Sequence, residues 1–138
     1  MSKQKMNILV CFNDSMAAEK AVALAKQHAK AFDADVHVIT SFTQTRDVKE
    51  KDADRMLKAD TLLERIKQEF IDDGITCVTR LIVNEISPGE NILQYAVNNS
   101  IDQIIIGVEK TSKLGKVVFG STAQFVILGA TCPVVCTK

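Results

Sequence analysis

A polar loop rich in lysine and glycine is the part of this sequence best suited to chemistry. It covers residues 107–122, follows an apolar strand-like run, and contains Lys110, Lys113 and Lys116. It ends in Gly120 and Ser121 at the predicted start of a helix. Backbone N–H groups and the helix dipole attract an anion at such a position, and lysines add positive charge. The pattern therefore predicts a phosphate site.

Two common phosphate-binding motifs do not fit this loop. A Walker A motif around Gly115 and Lys116 would need glycine at position 110 and serine or threonine at position 117, but the chain has Lys110 and Val117. The spacing of the loop's glycines also excludes the G-x-G-x-x-G dinucleotide fingerprint. A solvated basic loop remains the alternative to a phosphate site.

The composition describes an ordinary globular protein and predicts one domain over residues 1–138. Hydrophobic residues make up 46% and charged residues 25% of the chain. The 17 basic and 17 acidic side chains cancel, so no global charge favours nucleic acid or an anionic membrane. No apolar run approaches the ~20 residues of a membrane span, and residues 1–7 lack the apolar centre of a signal peptide. We expect a cytoplasmic protein.

Apolar runs of strand length alternate with segments of helical periodicity along the chain. This alternation predicts a parallel, doubly wound sheet with helices on both faces. Predicted strands cover residues 6–12, 36–42, 76–83, 103–106 and 133–136, and predicted helices follow at 16–32, 52–72, 88–99 and 121–128.

The carboxyl ends of such strands form the usual ligand crevice. If the first and fourth strands are neighbours, Asn13, Asp14 and Ser15 face the lysine-rich loop. Two distant polar stretches then form one site.

The loop resembles the nucleotide loop of the universal stress protein family. Nucleotide-binding members carry glycine, two residues, glycine, nine residues, then glycine and serine or threonine. Gly107, Gly120 and Ser121 keep this spacing, and Lys110 replaces the second glycine. The resemblance extends over most of the chain, including NILVCFNDS at 7–15, PGENILQYA at 88–96 and ATCPVV at 130–135.

The resemblance implies a fold and a function. The fold is a three-layer α/β/α sandwich of the adenine nucleotide alpha hydrolase-like class, with five parallel strands in the order 3-2-1-4-5. The function is that of a stress-response protein which binds ATP or AMP, with Mg²⁺ as a candidate accompanying ion. The alternative is a dimeric interaction or regulatory member with a degenerate loop that binds no nucleotide. Slow ATP hydrolysis has less support, because no carboxylate base or pair of metal ligands is visible near the loop.

The resemblance also implies the residues of the site. Asn13 stands where relatives carry an aspartate toward the ribose, and Asp14 replaces a glycine. The carboxylate of Asp14 could repel phosphate, but capping of the first helix or exposure to solvent is the favoured role. The base lies near Val38, Ile106 and Gly107. The complete predicted set is Cys11, Asn13, Ser15, Val38, Ile106, Gly107, Lys110, Lys113, Gly115, Lys116, Gly120, Ser121 and Thr122.

The last strand and the cysteines complete the predictions. By resemblance, the last strand lies at the sheet edge and pairs with its copy in a homodimer, through Pro133, Val134, Val135 and Cys136. Such pairing covers an apolar edge. All four cysteines lie in or beside apolar runs, which predicts buried, reduced thiols rather than a disulfide or metal site.

Overall fold

The computed structural model describes residues 4–44, 50–108 and 120–138. Strands and helices alternate throughout these parts of the chain. The strands are β1 (Asn7–Cys11), β2 (Asp35–Thr43), β3 (Cys77–Asn84), β4 (Gln103–Gly107) and β5 (Val134–Thr137). The helices are α1 (Met16–Phe32), α2 (Glu50–Asp72), α3 (Pro88–Asn98) and α4 (Ser121–Gly129).

The five strands form one parallel sheet in the order β3-β2-β1-β4-β5, which confirms the predicted fold. Cys11, the last residue of β1, is in register with Ile39 of β2 and with Ile106 of β4. The strand order reverses beside β1, since β2 and β4 leave it in opposite directions. This topology opens a crevice beyond the carboxyl ends of β1 and β4.

The sheet separates two apolar cores, because successive side chains of a strand point to opposite faces. Val10 and Val38 belong to the core that includes α1 and α2. Cys11, Ile39 and Ile106 belong to the core that includes α3 and α4. Cys11, Ile39 and Ile106 therefore form the floor of the crevice on the α3 and α4 face.

Serine side chains begin two of the helices, as the sequence predicted. Ser15 Oγ accepts a hydrogen bond from the N–H of Ala18 at 3.1 Å, and Ser87 Oγ accepts one from the N–H of Glu90 at 3.3 Å. Each bond satisfies a first-turn donor that has no partner within its helix. These caps fix where α1 and α3 leave the loops at the carboxyl ends of the strands.

The cysteines only partly match the prediction of buried thiols. All four are free; Cys11 and Cys77 are buried, Cys132 is half-buried, and Cys136 is exposed. Burial raises the pKa of Cys11 to about 12 and that of Cys77 to about 11. The prediction is wrong for Cys136, because it lies on β5 at the edge of the sheet. In the described parts of the chain, no helix is both long and apolar enough to cross a membrane.

Candidate functional site

A cavity of about 260 Å³ occupies the crevice on the α3 and α4 face. The ends of β1, β2 and β4 form its floor, and the first turns of α3 and α4 form its walls. The described residues that line it are Cys11, Phe12, Asn13, Ile39, Ser41, Pro88, Ile92, Ile106, Gly107, Val108, Gly120, Ser121, Thr122 and Ala123. The cavity thus brings together seven of the predicted site residues: Cys11, Asn13, Ile106, Gly107, Gly120, Ser121 and Thr122.

The N-terminus of α4 is suited to an anion. Its N-cap, Gly120, makes no side-chain hydrogen bond, in contrast to Ser15 of α1 and Ser87 of α3. The first turn carries no acidic residue. The N–H groups of this turn therefore have no side-chain oxygen at the N-cap to accept from them, and the positive end of the helix dipole faces the cavity. This end of the cavity can hold a phosphate.

Gly120 and Gly107 are glycines for different reasons. Gly120 has an ordinary φ of −61°, and a Cβ built there would meet no atom of the described residues within 4 Å. A Cβ on Gly107 would instead lie 2.5 Å from backbone atoms of Ala17 and Ala18 in α1. Gly107 is thus required by the close approach of α1, while Gly120 leaves open space beside the helix terminus.

Ser15 supports the site without lining the cavity. Its hydroxyl donates to Asn13 Oδ1 at 2.7 Å while its oxygen accepts from the N–H of Ala18. The carboxamide oxygen of Asn13 is therefore already an acceptor within the protein. The Nδ2 group remains as the donor that Asn13 can offer to a ligand.

Asp14 turns its backbone, and its carboxylate has an ion-pair partner on α2. Its φ of 61° lies in the left-handed region, which explains why glycine suits this position. Asp14 Oδ2 lies 3.4 Å from Lys58 Nζ, and both residues line a second cavity of about 250 Å³ beside α2. Of the two roles predicted together for this carboxylate, capping is wrong, since Ser15 is the N-cap, and solvent exposure is confirmed.

Val38 does not lie at the cavity. It is fully buried on the α1 and α2 face of the sheet, while Ile39 and Ser41 of the same strand line the cavity. The period-two alternation of β2 separates these neighbours. Five further lining residues were not predicted. Pro88, Ile92 and Ala123 reach the cavity through the packing of α3 and α4 on the sheet, whereas Phe12 and Val108 directly follow β1 and β4.

The lysines of the loop fall outside the structural description. Lys110, Lys113, Gly115 and Lys116 lie between residues 108 and 120, outside the described residues. Their contact with phosphate stays a prediction, with a solvated loop as its alternative.

The two histidines are not among the described residues that line the cavity. His37 Nδ1 lies 2.7 Å from the hydroxyl of Tyr95, and burial lowers the pKa of His37. Within residues 4–44, 50–108 and 120–138, no group of three His, Cys, Asp or Glu side chains is placed to hold a metal ion.

The model of the universal stress protein family matches residues 6–138. A universal stress protein of Thermus aquaticus is 29% identical over 138 residues, covering 95% of this chain and 97% of the relative.

Solved structures are similar over nearly the full length. A universal stress protein from Archaeoglobus fulgidus has a TM-score of 0.84 and 29% identity, covering 98% of this chain and 100% of its own. A structure of the universal stress protein from Archaeoglobus fulgidus in complex with dAMP has a TM-score of 0.77 and 26% identity, covering 96% of this chain and 98% of its own.

Proposed function

This chain belongs to the universal stress protein family, and from that premise we propose that it binds an adenine nucleotide, ATP or AMP, in the cavity beyond β1 and β4. The observation that carries the proposal is the N-terminus of α4, which opens into the cavity without a side-chain cap. The relative that was solved with dAMP supports the choice of an adenine nucleotide. A phosphate at α4 would replace the missing cap as hydrogen-bond acceptor.

The lining residues provide separate surroundings for the phosphates, the ribose and the base of a nucleotide. Gly120, Ser121 and Thr122 would hold the phosphates. Asn13 would donate from Nδ2 to the ribose, in the middle of the cavity. Cys11, Ile39, Ile92 and Ile106, all of which belong to the core on the α3 and α4 face, form an apolar remainder that fits a planar base.

Mg²⁺ would depend on the phosphates for its ligands. The described lining residues include no carboxylate, and Asn13 has no charge to offer a metal ion. Because Mg²⁺ is held through carboxylates, phosphates and water, it would enter this cavity only with a di- or triphosphate. We therefore propose that AMP binds without a metal ion.

Analysis of the purified protein tests the proposal. Denaturation of the protein should release AMP, ADP or ATP, or the empty protein should gain thermal stability with millimolar AMP or Mg-ATP. A ligand that binds only the folded state must raise stability by mass action. An empty protein with no thermal shift would contradict nucleotide binding.

The proposal includes a homodimer formed through β5 and α4. β5 is an edge strand, so the backbone groups along its outer side have no neighbouring strand in this sheet. The adjoining α4 (STAQFVILG) is apolar nearly all round and exposes Phe125, Ile127 and Leu128, the last by 86%. A helix that is apolar all round is normally buried. A second copy of the chain would cover both the outer edge of β5 and the exposed apolar side chains of α4, by pairing with Pro133, Val134, Val135 and Cys136.

A matched pair of charge variants tests the dimer. Leu128→Glu should shift the mass measured by light scattering from dimer to monomer, because a carboxylate cannot be buried unpaired in an apolar interface. Leu57→Glu introduces the same change at a 67% exposed position on α2 and should leave the dimer intact. A wild-type protein that is monomeric at about 100 μM would refute the proposal, because a dimer with a Kd of about 1 μM is largely assembled at that concentration.

The dimer would act in a stress response by coupling nucleotide occupancy to partner choice, without turnover. The rival function is that of a dimeric regulator which binds no nucleotide. It is favoured by Lys110 and Asn13, which stand where nucleotide-binding relatives carry glycine and aspartate. A stable dimer that neither releases nor binds an adenine nucleotide would establish the rival.

A further inference from the structure

A buried chain of polar side chains reaches the cavity from α3. Asn91 of α3 is the only buried amide or charged side chain in the described parts of the protein, with 4% of its surface exposed. It bonds to Asn84 at the end of β3 and to Ser41 of β2. Ser41 in turn lines the cavity. Because an unsatisfied buried amide is costly, these partners fix its orientation.

One backbone N–H determines which atom donates and which accepts in every hydrogen bond between these polar side chains. The N–H of Ile86 can only donate, and its acceptor is Asn84 Oδ1 at 3.0 Å. The other atom of the Asn84 amide is therefore Nδ2, which donates to Asn91 Oδ1 at 3.1 Å. Asn91 Nδ2 then donates to Asn84 Oδ1 at 2.9 Å and to Ser41 Oγ at 3.0 Å.

The hydroxyl of Ser41 is left with a proton to donate. Its oxygen already accepts from Asn91, so its hydrogen must point to a different acceptor. Ser41 lines both this cavity and the second cavity beside α2, but its bond to Asn91 of α3 places Oγ on the α3 and α4 face, which is the face of the first cavity. The cavity therefore presents a donor of fixed polarity at this point.

Ser41 lies at the end of the cavity opposite the phosphate site. β2 is separated from β4 by β1, so the two strands are roughly 10 Å apart at the usual spacing. A nucleotide whose phosphate binds α4 would extend its base toward β2. The side chains of Ile39 and Ile92, which also line the cavity from the α3 and α4 face, are apolar, so the Ser41 hydroxyl is a polar side-chain group that the base can meet there.

We propose that Ser41 donates a hydrogen bond to a ring nitrogen of the bound purine and so determines which edge of the base is accepted. This inference rests on the proposed nucleotide binding. A base that presents N–H at the same place would bring two donors together and leave the Ser41 proton unpaired. Sites built around a buried hydrogen-bonding group discriminate strongly against such ligands.

Deaza analogues of AMP test this assignment directly. In 1-deaza-, 3-deaza- and 7-deaza-AMP, one ring nitrogen is replaced by C–H. With the wild type, calorimetric titration should show one analogue binding about three- to tenfold more weakly than AMP, the effect of one neutral hydrogen bond. With Ser41→Ala, AMP should weaken by a similar factor, and that analogue should lose no further affinity.

Further variants separate this role from a structural one. Ser41→Thr keeps the hydroxyl and should restore the wild-type pattern of analogues. Ser41→Cys keeps the shape but is a weak donor, and replaces Ser41→Ala if the alanine variant is poorly folded. Thr40→Val is the control, because the Thr40 hydroxyl donates to the carbonyl of Phe12 at 2.8 Å; it should leave the pattern unchanged.

The outcomes distinguish this inference from the proposed function. If AMP binds the wild type, but the analogues rank identically with wild type and Ser41→Ala, the role of Ser41 is overturned while nucleotide binding stands. If AMP does not bind the wild type at all, both are overturned. Coupling between Ser41 and one ring nitrogen supports both.

Discussion

Gly120→Ser should make the protein more stable and the nucleotide bind less tightly. Serine at the N-cap of α4 would accept a hydrogen bond from a first-turn N–H, as Ser15 does in α1 and Ser87 does in α3. No atom in the described parts of the chain lies within 4 Å of a Cβ at position 120, and the φ of −61° suits any residue. The new hydroxyl would then occupy a donor that the phosphate is proposed to use.

The two effects have opposite signs and different sizes. Serine is a better N-cap than glycine by a few tenths of a kcal/mol, which corresponds to a rise in Tm of about 1–2 °C. A hydrogen bond to a charged group contributes about 1.5–3 kcal/mol, so its loss would weaken AMP binding roughly 10- to 100-fold. Melting without ligand gives the first effect, and calorimetric titration with AMP gives the second.

The control is the reverse exchange on another helix. Ser87→Gly removes the bond from the N–H of Glu90 in α3 and should lower Tm slightly without changing affinity, because Ser87 is not among the described lining residues. If Gly120→Ser bound AMP as tightly as the wild type, the first-turn N–H groups of α4 would not be the phosphate ligands.

Three further predictions concern the fold around the site. Gly107→Ala should lower the free energy of unfolding by about 1–3 kcal/mol, because its Cβ would lie 2.5 Å from the backbone of α1; an unchanged urea midpoint would refute this. Burial lowers the pKa of His37 below 6.5, so the unfolded state binds a proton at this residue more readily than the folded state does. The free energy of unfolding should therefore decline as pH falls from 6.5 toward the folded-state pKa. Urea titrations at several pH values should show that His37→Gln lacks this part of the pH dependence. If the free energy of unfolding changed with pH identically in the variant and the wild type, the prediction would be contradicted. Cys11 and Cys77, whose pKa values burial raises to about 12 and about 11, should react with a thiol reagent only in urea, and modification of either in the native protein would argue against their burial.

The fold could be predicted because each element carried its own local signal. The apolar run of β1 indicated a strand buried on both faces, and its pairing with β2 and β4 confirms this. Ser15 and Ser87 marked helix starts through cap chemistry that acts within three residues. Such short-range signals are present in the sequence whatever the tertiary structure.

The side chains at the proposed base end of the cavity were harder to predict, because their positions depend on register and packing. Val36, Val38 and Ile39 of β2 are all apolar, although they lie on different faces of the sheet. The sequence alone therefore does not show which of these side chains faces the cavity. The pairing of Cys11 with Ile39 decides this, and it excludes Val38. Ser41 was not predicted because its proposed role depends on a hydrogen bond from Asn91, which lies 50 residues away in the sequence.

Calorimetric titration of the wild-type protein with AMP, and separately with adenosine, tests the central claim most directly. The account predicts saturable binding of one AMP per chain and clearly weaker binding of adenosine, because adenosine lacks the phosphate that contacts α4. Absence of binding for AMP would contradict the nucleotide site. Equal affinity for AMP and adenosine would contradict the role of the α4 N-terminus.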